Sequence, residues 1–142
     1  MFHRLFVLYR PYILTIIRLL VGLTFVLHGA QKVFGIFGGP GLAGFAQYVT
    51  STMGLPSFFA YTAAFVEFGA GLLLVLGLFT EYAALSLMPV MLVAIFGVHF
   101  KSGFFAQTGG YEYALNLLIL LLVLVIGGAG KLTVVDVAVD RK

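Results

Sequence analysis

The chain has 142 residues, of which 62% are hydrophobic and only 9% are charged. Because soluble domains carry about 25% charged residues, this composition excludes a soluble fold. The formal charge of +3 lies mostly near the chain ends, which indicates membrane topology and argues against nucleic-acid binding, and the lack of cysteine excludes disulfides, iron–sulfur clusters and thiolate metal sites.

Four apolar segments predict four transmembrane helices that form one membrane domain over residues 1–142. In chain order they cover residues 12–34, 57–79, 82–100 and 111–127. Each is close to the ~20 residues that cross a bilayer, and all are too long for barrel strands. The first contains Arg18 and lacks a small-x-small cleavage site, so we expect it to be retained rather than cleaved as a signal peptide.

The connections between these helices carry further signals. Apolar residues recur at spacings of three and four over residues 42–53, which predicts a short amphipathic helix at the outer interface between the first two spans. An irregular glycine-rich loop is the alternative. Pro89 is expected to kink or loosen the third span.

The distribution of basic residues predicts that both termini are cytoplasmic. On the side of the termini lie Arg4, Arg10, Lys131, Arg141 and Lys142. Only Lys32 and Lys101 are assigned to the opposite side.

Several polar side chains fall inside the predicted spans. They are Arg18, His28, Gln31, Lys32, Glu67, His99, Glu112 and Asn116. A charged group in hydrocarbon costs ~2.5–3.5 kcal/mol or more, so we expect these residues to face the bundle interior and to pair.

Depth along the helices predicts that Arg18 and Glu67 form an ion pair near the midplane, at ~1.5 Å of rise per residue. Small residues beside them predict close packing of the first and second spans; these are Gly22, Gly29, Ala63 and Gly71. A purely structural salt bridge is the alternative to a role in proton transfer.

The remaining polar residues are expected to form a pocket near the outer surface that binds a polar head group and moves protons. We predict catalytic roles for Glu67, Glu112 and His28. We predict ligand-binding roles for Lys32, Asn116, Arg18, Gln31 and His99, and no metal site. The alternatives are an interfacial position for Lys32, haem ligation by His28 and His99, and a structural role for Glu112 and Asn116 at the start of the fourth span. Tyrosines such as Tyr48 and Tyr113 are interpreted as interfacial belts.

Ordered motifs extend over nearly the whole chain, at residues 28–35, 45–48, 54–56, 67–71, 76–80 and 112–116. In these motifs the chain resembles the DoxX family of small bacterial membrane proteins. It departs from that family near the end, where Thr133 replaces a serine and one extra residue precedes Asp136. The resemblance implies a four-helix bundle in the bacterial inner membrane that serves as an oxidoreductase subunit, with functional roles for His28, Lys32, Glu67, Glu112 and Asn116. It also implies links to quinone-coupled oxidation and to quinone, oxidative or thiol stress.

The leading hypothesis is therefore a membrane subunit that interacts with quinone in redox or stress metabolism. Its expected partners are the lipid bilayer, a redox partner protein that brings the electrons, and further copies of the chain. The alternative is a non-catalytic membrane scaffold or small-molecule resistance protein that recruits soluble partners. Proton-coupled export ranks lowest, because small multidrug transporters carry their essential glutamate in the first helix, where this chain has Arg18.

Overall fold

Helices form the whole architecture of the described part of the chain. The computed structural model describes residues 2–139, and side chains are described for residues 7–138; no strand occurs between residues 2 and 139. Arg141 and Lys142, which entered the orientation prediction, lie outside the described residues. The helices are α1 (Phe2–Phe34), α2 (Gly41–Met53), α3 (Ser57–Leu76), α4 (Thr80–Val93), α5 (Glu112–Gly127) and α6 (Val134–Val139).

Three segments are long and apolar enough to cross a membrane, namely Val7–Phe34, Ser57–Leu76 and Thr80–Ser102. They confirm the first three predicted spans. Helix α5 is also apolar but has 16 residues, which rise about 24 Å against a bilayer core of about 30 Å. A fourth crossing by α5 therefore stays a prediction.

The predicted bounds differ most from the observed helices at two ends. Helix α1 begins at Phe2 rather than at residue 12, because hydropathy marks the part of a helix in the membrane and not where its hydrogen bonding starts. Helix α3 ends at Leu76 rather than at residue 79, because Gly77 adopts φ 70° and its N–H bonds back to the carbonyl of Leu74. This left-handed cap terminates the helix.

The segment after the first span is helical, so the glycine-rich loop considered as an alternative is wrong. The buried face of α2 consists of Ala46 and Val49, which pack with Ala60 at the start of α3. Helix α2 therefore packs through its apolar face across the end of the bundle where α1 ends and α3 begins, in agreement with the predicted amphipathic pattern.

The third span departs from α-helical geometry as Pro89 predicted, but beyond the proline rather than at it. Regular α4 ends at Val93, and a π-helical segment, Ala94–His99, continues it. A 3-10 turn, Phe100–Ser102, then completes the span. Such π segments are frequent at functional sites.

Helix α6 was not predicted, and a reciprocal cap explains why it forms. The backbone N–H of Thr133 donates to the Asp136 carboxylate, and the backbone N–H of Asp136 donates to the Thr133 hydroxyl, at 3.0 and 3.1 Å. This is the capping-box arrangement with aspartate in place of glutamate. Hydrogen bonding with the Thr133 backbone, and then with its side chain, holds the pKa of Asp136 below its ordinary value.

Close packing of α1 against α3 confirms the prediction from the small residues. A Cβ added at Gly29 would lie 2.4 Å from the backbone nitrogen of Phe68, and one at Gly71 would lie 2.7 Å from that of Val26. The two backbones therefore touch where glycine removes the side chain. Since later residues of α1 meet earlier residues of α3, the helices run antiparallel.

Candidate functional site: a buried lysine–glutamate pair between two cavities

A buried ion pair joins α1 to α3. The Nζ atom of Lys32 lies 2.5 Å from Oε1 and 2.6 Å from Oε2 of Glu67. The Glu67 side chain is 2% exposed and that of Lys32 is 23% exposed. Because each charge is balanced by the other, the pair lowers the cost of placing both groups inside the bundle.

Side-chain direction explains why Glu67 pairs with Lys32 and why the predicted Arg18–Glu67 pair is wrong. Side chains lean toward the N-terminus of their own helix. Lys32, near the end of α1, therefore leans back into the bundle, while Glu67 leans toward the start of the antiparallel α3. The two extend toward each other, whereas Arg18 leans away toward the first half of α1.

Arg18 is fully buried and binds backbone carbonyls instead. Its Nη1 donates to Leu74 and Val75 at 2.6 and 2.9 Å, and its Nε donates to Ala129 at 2.9 Å. Its Nη2 donates to Leu132 at 3.2 Å. The guanidinium thus satisfies carbonyls at the negative end of α3 and fastens the chain that follows α5. This position is that of a structural clasp, and the ligand-binding role predicted for Arg18 stays a prediction.

The Lys32–Glu67 pair lines a cavity of about 230 Å³, here called the first cavity. Most of its wall is apolar or aromatic, and Phe45, Tyr48 and Phe59 contribute the rings. The Lys32 ammonium lies 4.9 Å from the centroid of the Phe45 ring, within the range of a cation–π contact. One ion pair thus faces a cavity whose wall is otherwise mostly apolar and aromatic.

The same pair lines a second cavity of about 150 Å³. The walls of both cavities include Lys32, Glu67, Ala94 and His99, so these residues form the partition between them. The second cavity adds His28 from α1 and Tyr113 from α5, which makes its wall the more polar of the two. The structure therefore brings together four of the predicted site residues, at the junction of α1, α3 and the third span.

Both histidines have a defined neighbour. Nδ1 of His99 lies 2.7 Å from the carbonyl oxygen of Gly109, and because a carbonyl only accepts, Nδ1 carries the proton. In the neutral ring Nε2 is then left as the acceptor. Nε2 of His28 lies 3.5 Å from the Tyr113 hydroxyl, which is the long limit of a hydrogen bond.

Three other predicted residues lie apart from this junction, and neither cavity wall includes them. Glu112 accepts a hydrogen bond from the backbone N–H of Ala106 at 3.0 Å; it fastens the loop before α5, as the structural alternative proposed. Asn116 is exposed. Gln31 donates to the carbonyl of Phe37 at 3.1 Å, just beyond the end of α1. The roles predicted for these residues stay predictions.

Four aromatic residues of the site were not predicted as site residues. Tyr113 and Tyr48 were interpreted as interfacial belts, Phe45 as part of an amphipathic pattern and of a family motif, and Phe59 was not singled out. One signal could have found Tyr113, since it stands one position after Glu112 in a segment expected to begin beside the end of α1. The contact of Phe45 with Lys32 depends on how α2 lies across the bundle, which the sequence pattern does not specify.

The pair has the chemistry to bind a polar atom and to exchange a proton. An ammonium has three N–H donors, and the carboxylate of Glu67 takes two of them. The third donor is available to an acceptor in either cavity. The adjacent carboxylate of Glu67 can take up a proton, provided that the ligand compensates for the ion pair that Lys32 then loses.

Comparisons with known proteins extend these observations. A family model described as DoxX matches residues 13–100. A Haemophilus influenzae protein described as uncharacterized is 34% identical over 129 residues, which are 86% of this chain and 87% of the relative. A second one from that organism, also described as uncharacterized, is 39% identical over 61 residues, or 43% of this chain and 40% of the relative. A Bacillus subtilis protein named "Putative oxidoreductase CatD" is 31% identical over 102 residues, or 72% of this chain and 70% of the relative. No solved structure matches the chain.

Proposed function

Because this chain belongs to the DoxX family, we propose that it is a membrane oxidoreductase subunit whose Lys32–Glu67 pair binds the head group of a quinone. The observation that carries the proposal is the pairing of one buried, bidentate ion pair with a ring-lined apolar cavity. The name of the Bacillus subtilis relative supports a redox role.

The first cavity has the size and chemistry that a quinone ring needs. Cavities of about 150 Å³ lined by apolar side chains hold a benzene molecule, so about 230 Å³ accommodates a substituted six-membered ring. Phe45, Tyr48 and Phe59 provide flat apolar contacts for that ring. An isoprenoid tail is too large for this volume and would extend into the bilayer.

The polar groups have distinct roles in this proposal. A quinone takes up two electrons and two protons when it is reduced, and a redox partner protein supplies the electrons. Lys32 donates its third N–H to a ring carbonyl oxygen, which fixes the orientation of the head group. Glu67 holds Lys32 in place and exchanges protons with the site, while His99 offers the Nε2 acceptor at the same partition.

A binding measurement tests the proposal. Purified protein in lipid nanodiscs is heated with and without a short-tailed ubiquinone, and the shift in unfolding temperature gives the affinity. Lys32→Met combined with Glu67→Gln removes the donor without leaving a lone buried charge. Since a hydrogen bond to a charged group contributes about 1.5–3 kcal/mol, we expect this double variant to bind about 10–100-fold more weakly.

A matched pair of exposed residues gives the control. Glu81→Gln combined with Lys101→Met removes the same two charges from exposed positions that line neither cavity, and it should bind quinone like the parent protein. Ala63→Leu fills the first cavity and should abolish binding. If quinone stabilises the parent and the Lys32–Glu67 double variant equally, the proposed site is wrong.

We further propose that the protein lies in the bacterial cytoplasmic membrane with both termini inside. Two observations support this: the relatives come from bacteria, and three helices in the described part of the chain can cross a membrane. With α5 as a fourth crossing, the two ends of the chain return to one side. Reporter domains fused after Lys142 and after Gly109 should report opposite sides of the membrane; the same side for both would refute the topology.

A further inference from the structure

The second cavity has properties that ligand binding in the first cavity does not explain. It runs from two exposed residues, His28 and Tyr113, to the buried carboxylate of Glu67. Tyr113 is 48% exposed and Glu67 is 1% exposed. Because Tyr113 is the second residue of α5, the open end lies at the level where that helix begins.

Its wall presents enough polar atoms to hold water. Five residues with polar side chains line this one space of about 150 Å³, namely His28, Lys32, Glu67, His99 and Tyr113. A buried water needs only about 10–15 Å³ and two to four polar partners, so this space has room for several.

We propose that the second cavity holds water and is the path by which protons reach the Lys32–Glu67 pair, with His28 and Tyr113 at its open end. This path rests on the proposed function, since it supplies protons to the site where the quinone would bind. The two cavities then have separate roles: the apolar first cavity holds the ring, and the more polar second cavity delivers protons. Tyr113 becomes a positioning residue that orients His28 and the first water.

Cysteine accessibility tests for the water, and the chain suits it because it contains no cysteine. A thiol reacts with a charged methanethiosulfonate reagent only where water reaches it and allows the thiolate to form. Ala114 and Leu117 line the second cavity. Leu121, one turn further along the same face of α5, is fully buried and lines neither cavity.

Each cysteine is introduced singly into protein in nanodiscs and exposed to the ethylammonium reagent. We expect Ala114→Cys and Leu117→Cys to react at least 10-fold faster than Leu121→Cys. The added variant Tyr113→Leu should change these rates less than 3-fold, because it widens rather than closes the mouth. Equal rates at all three positions would overturn the water-filled path, and this result requires no quinone.

A second measurement tests the role in proton delivery. Quinone bound to the protein is reduced by an electrode through a soluble mediator, so that no partner protein is needed. Ala114→Leu fills the second cavity and should slow the reduction at least 5-fold while quinone affinity stays within 2-fold of the parent. Tyr113→Phe removes the hydroxyl alone and should slow it less than Ala114→Leu.

The failures of the two proposals are distinguishable. Loss of quinone affinity in Ala114→Leu, or an unchanged reduction rate with affinity retained, would overturn the proton path but leave the quinone site. Failure of the parent protein to bind quinone would overturn the proposed function, and the cysteine rates would still decide whether the cavity holds water.

Discussion

Substituting Lys32 and substituting Glu67 should lower the free energy of unfolding by different amounts. Lys32→Met leaves a carboxylate that is 2% exposed without its partner, and a buried charge left alone costs about 3–5 kcal/mol. Glu67→Gln leaves an ammonium whose side chain is 23% exposed and lies near the end of α1. That lysine can extend toward water, so we expect a loss of only about 1–2 kcal/mol.

The double variant should lose less free energy of unfolding than the sum of the two single losses. Lys32→Met combined with Glu67→Gln removes both charges and keeps side chains of similar volume, so the coupling should reach about 2–3 kcal/mol. The free energy of unfolding is measured in mixed micelles by titration with a denaturing detergent, followed by circular dichroism. Thermal unfolding in nanodiscs provides a second measure of how the variants rank in stability.

The same experiment with Arg18 is the control. Arg18→Met and Glu67→Gln should be additive to within about 0.5 kcal/mol, because Arg18 binds the end of α3, at Leu74 and Val75, about two turns from Glu67. Additive losses for Lys32 and Glu67, or stronger coupling of Glu67 to Arg18, would refute the assigned pairing.

Three further predictions concern the frame around the site. Arg18→Met should lower the unfolding free energy by about 3–5 kcal/mol, because it strips buried carbonyls of their donor, and the loss is read from the same detergent titration; a loss below 1 kcal/mol would count against the clasp. Gly29→Ala should destabilise by about 1–3 kcal/mol since its Cβ would strike α3, whereas Gly69→Ala, with nothing within 4 Å, should be neutral or stabilising by up to about 1 kcal/mol. Thr133→Val should raise the pKa of Asp136 part of the way toward its ordinary value, measured by carboxyl carbon NMR against pH, because it removes the hydroxyl but keeps the backbone N–H that donates to the carboxylate. The cap that is now kept until the pH falls through the lowered pKa is then lost at higher pH, and an unchanged pKa would exclude the hydroxyl as a cause of the lowered value.

The fold was largely predictable because it depends on patterns that the membrane imposes. Apolar runs located the first three spans, and the spacing of apolar residues in 42–53 predicted α2. Gly29 and Gly71 predicted the close approach of α1 and α3, since only glycine permits such contact. Helix α6 could not be found in this way, because its six residues depend on one cap rather than on a repeated pattern.

The charged and imidazole residues of the site were predictable, whereas its aromatic residues and the pairing of its charges were not. The cost of burying charge marked Lys32, Glu67, His28 and His99 as residues that must gather inside the bundle. Depth counted along the backbone then gave Glu67 the wrong partner, because it ignored that side chains lean toward the start of their helix. A lysine in the last turn of α1 reaches inward by several ångströms, and this reach determines the pair.

The central claim is that a quinone head group lies in the first cavity beside the Lys32–Glu67 pair. Photoaffinity labelling with an azido-quinone, mapped by mass spectrometry of the peptides, tests it directly. We expect adducts in residues that line the first cavity, within 45–53, 59–67 and 90–99 and at Lys32; excess ubiquinone should suppress them, and they should disappear in the double variant Lys32→Met with Glu67→Gln. Adducts confined to the rest of the chain, or unchanged in the double variant, would contradict it.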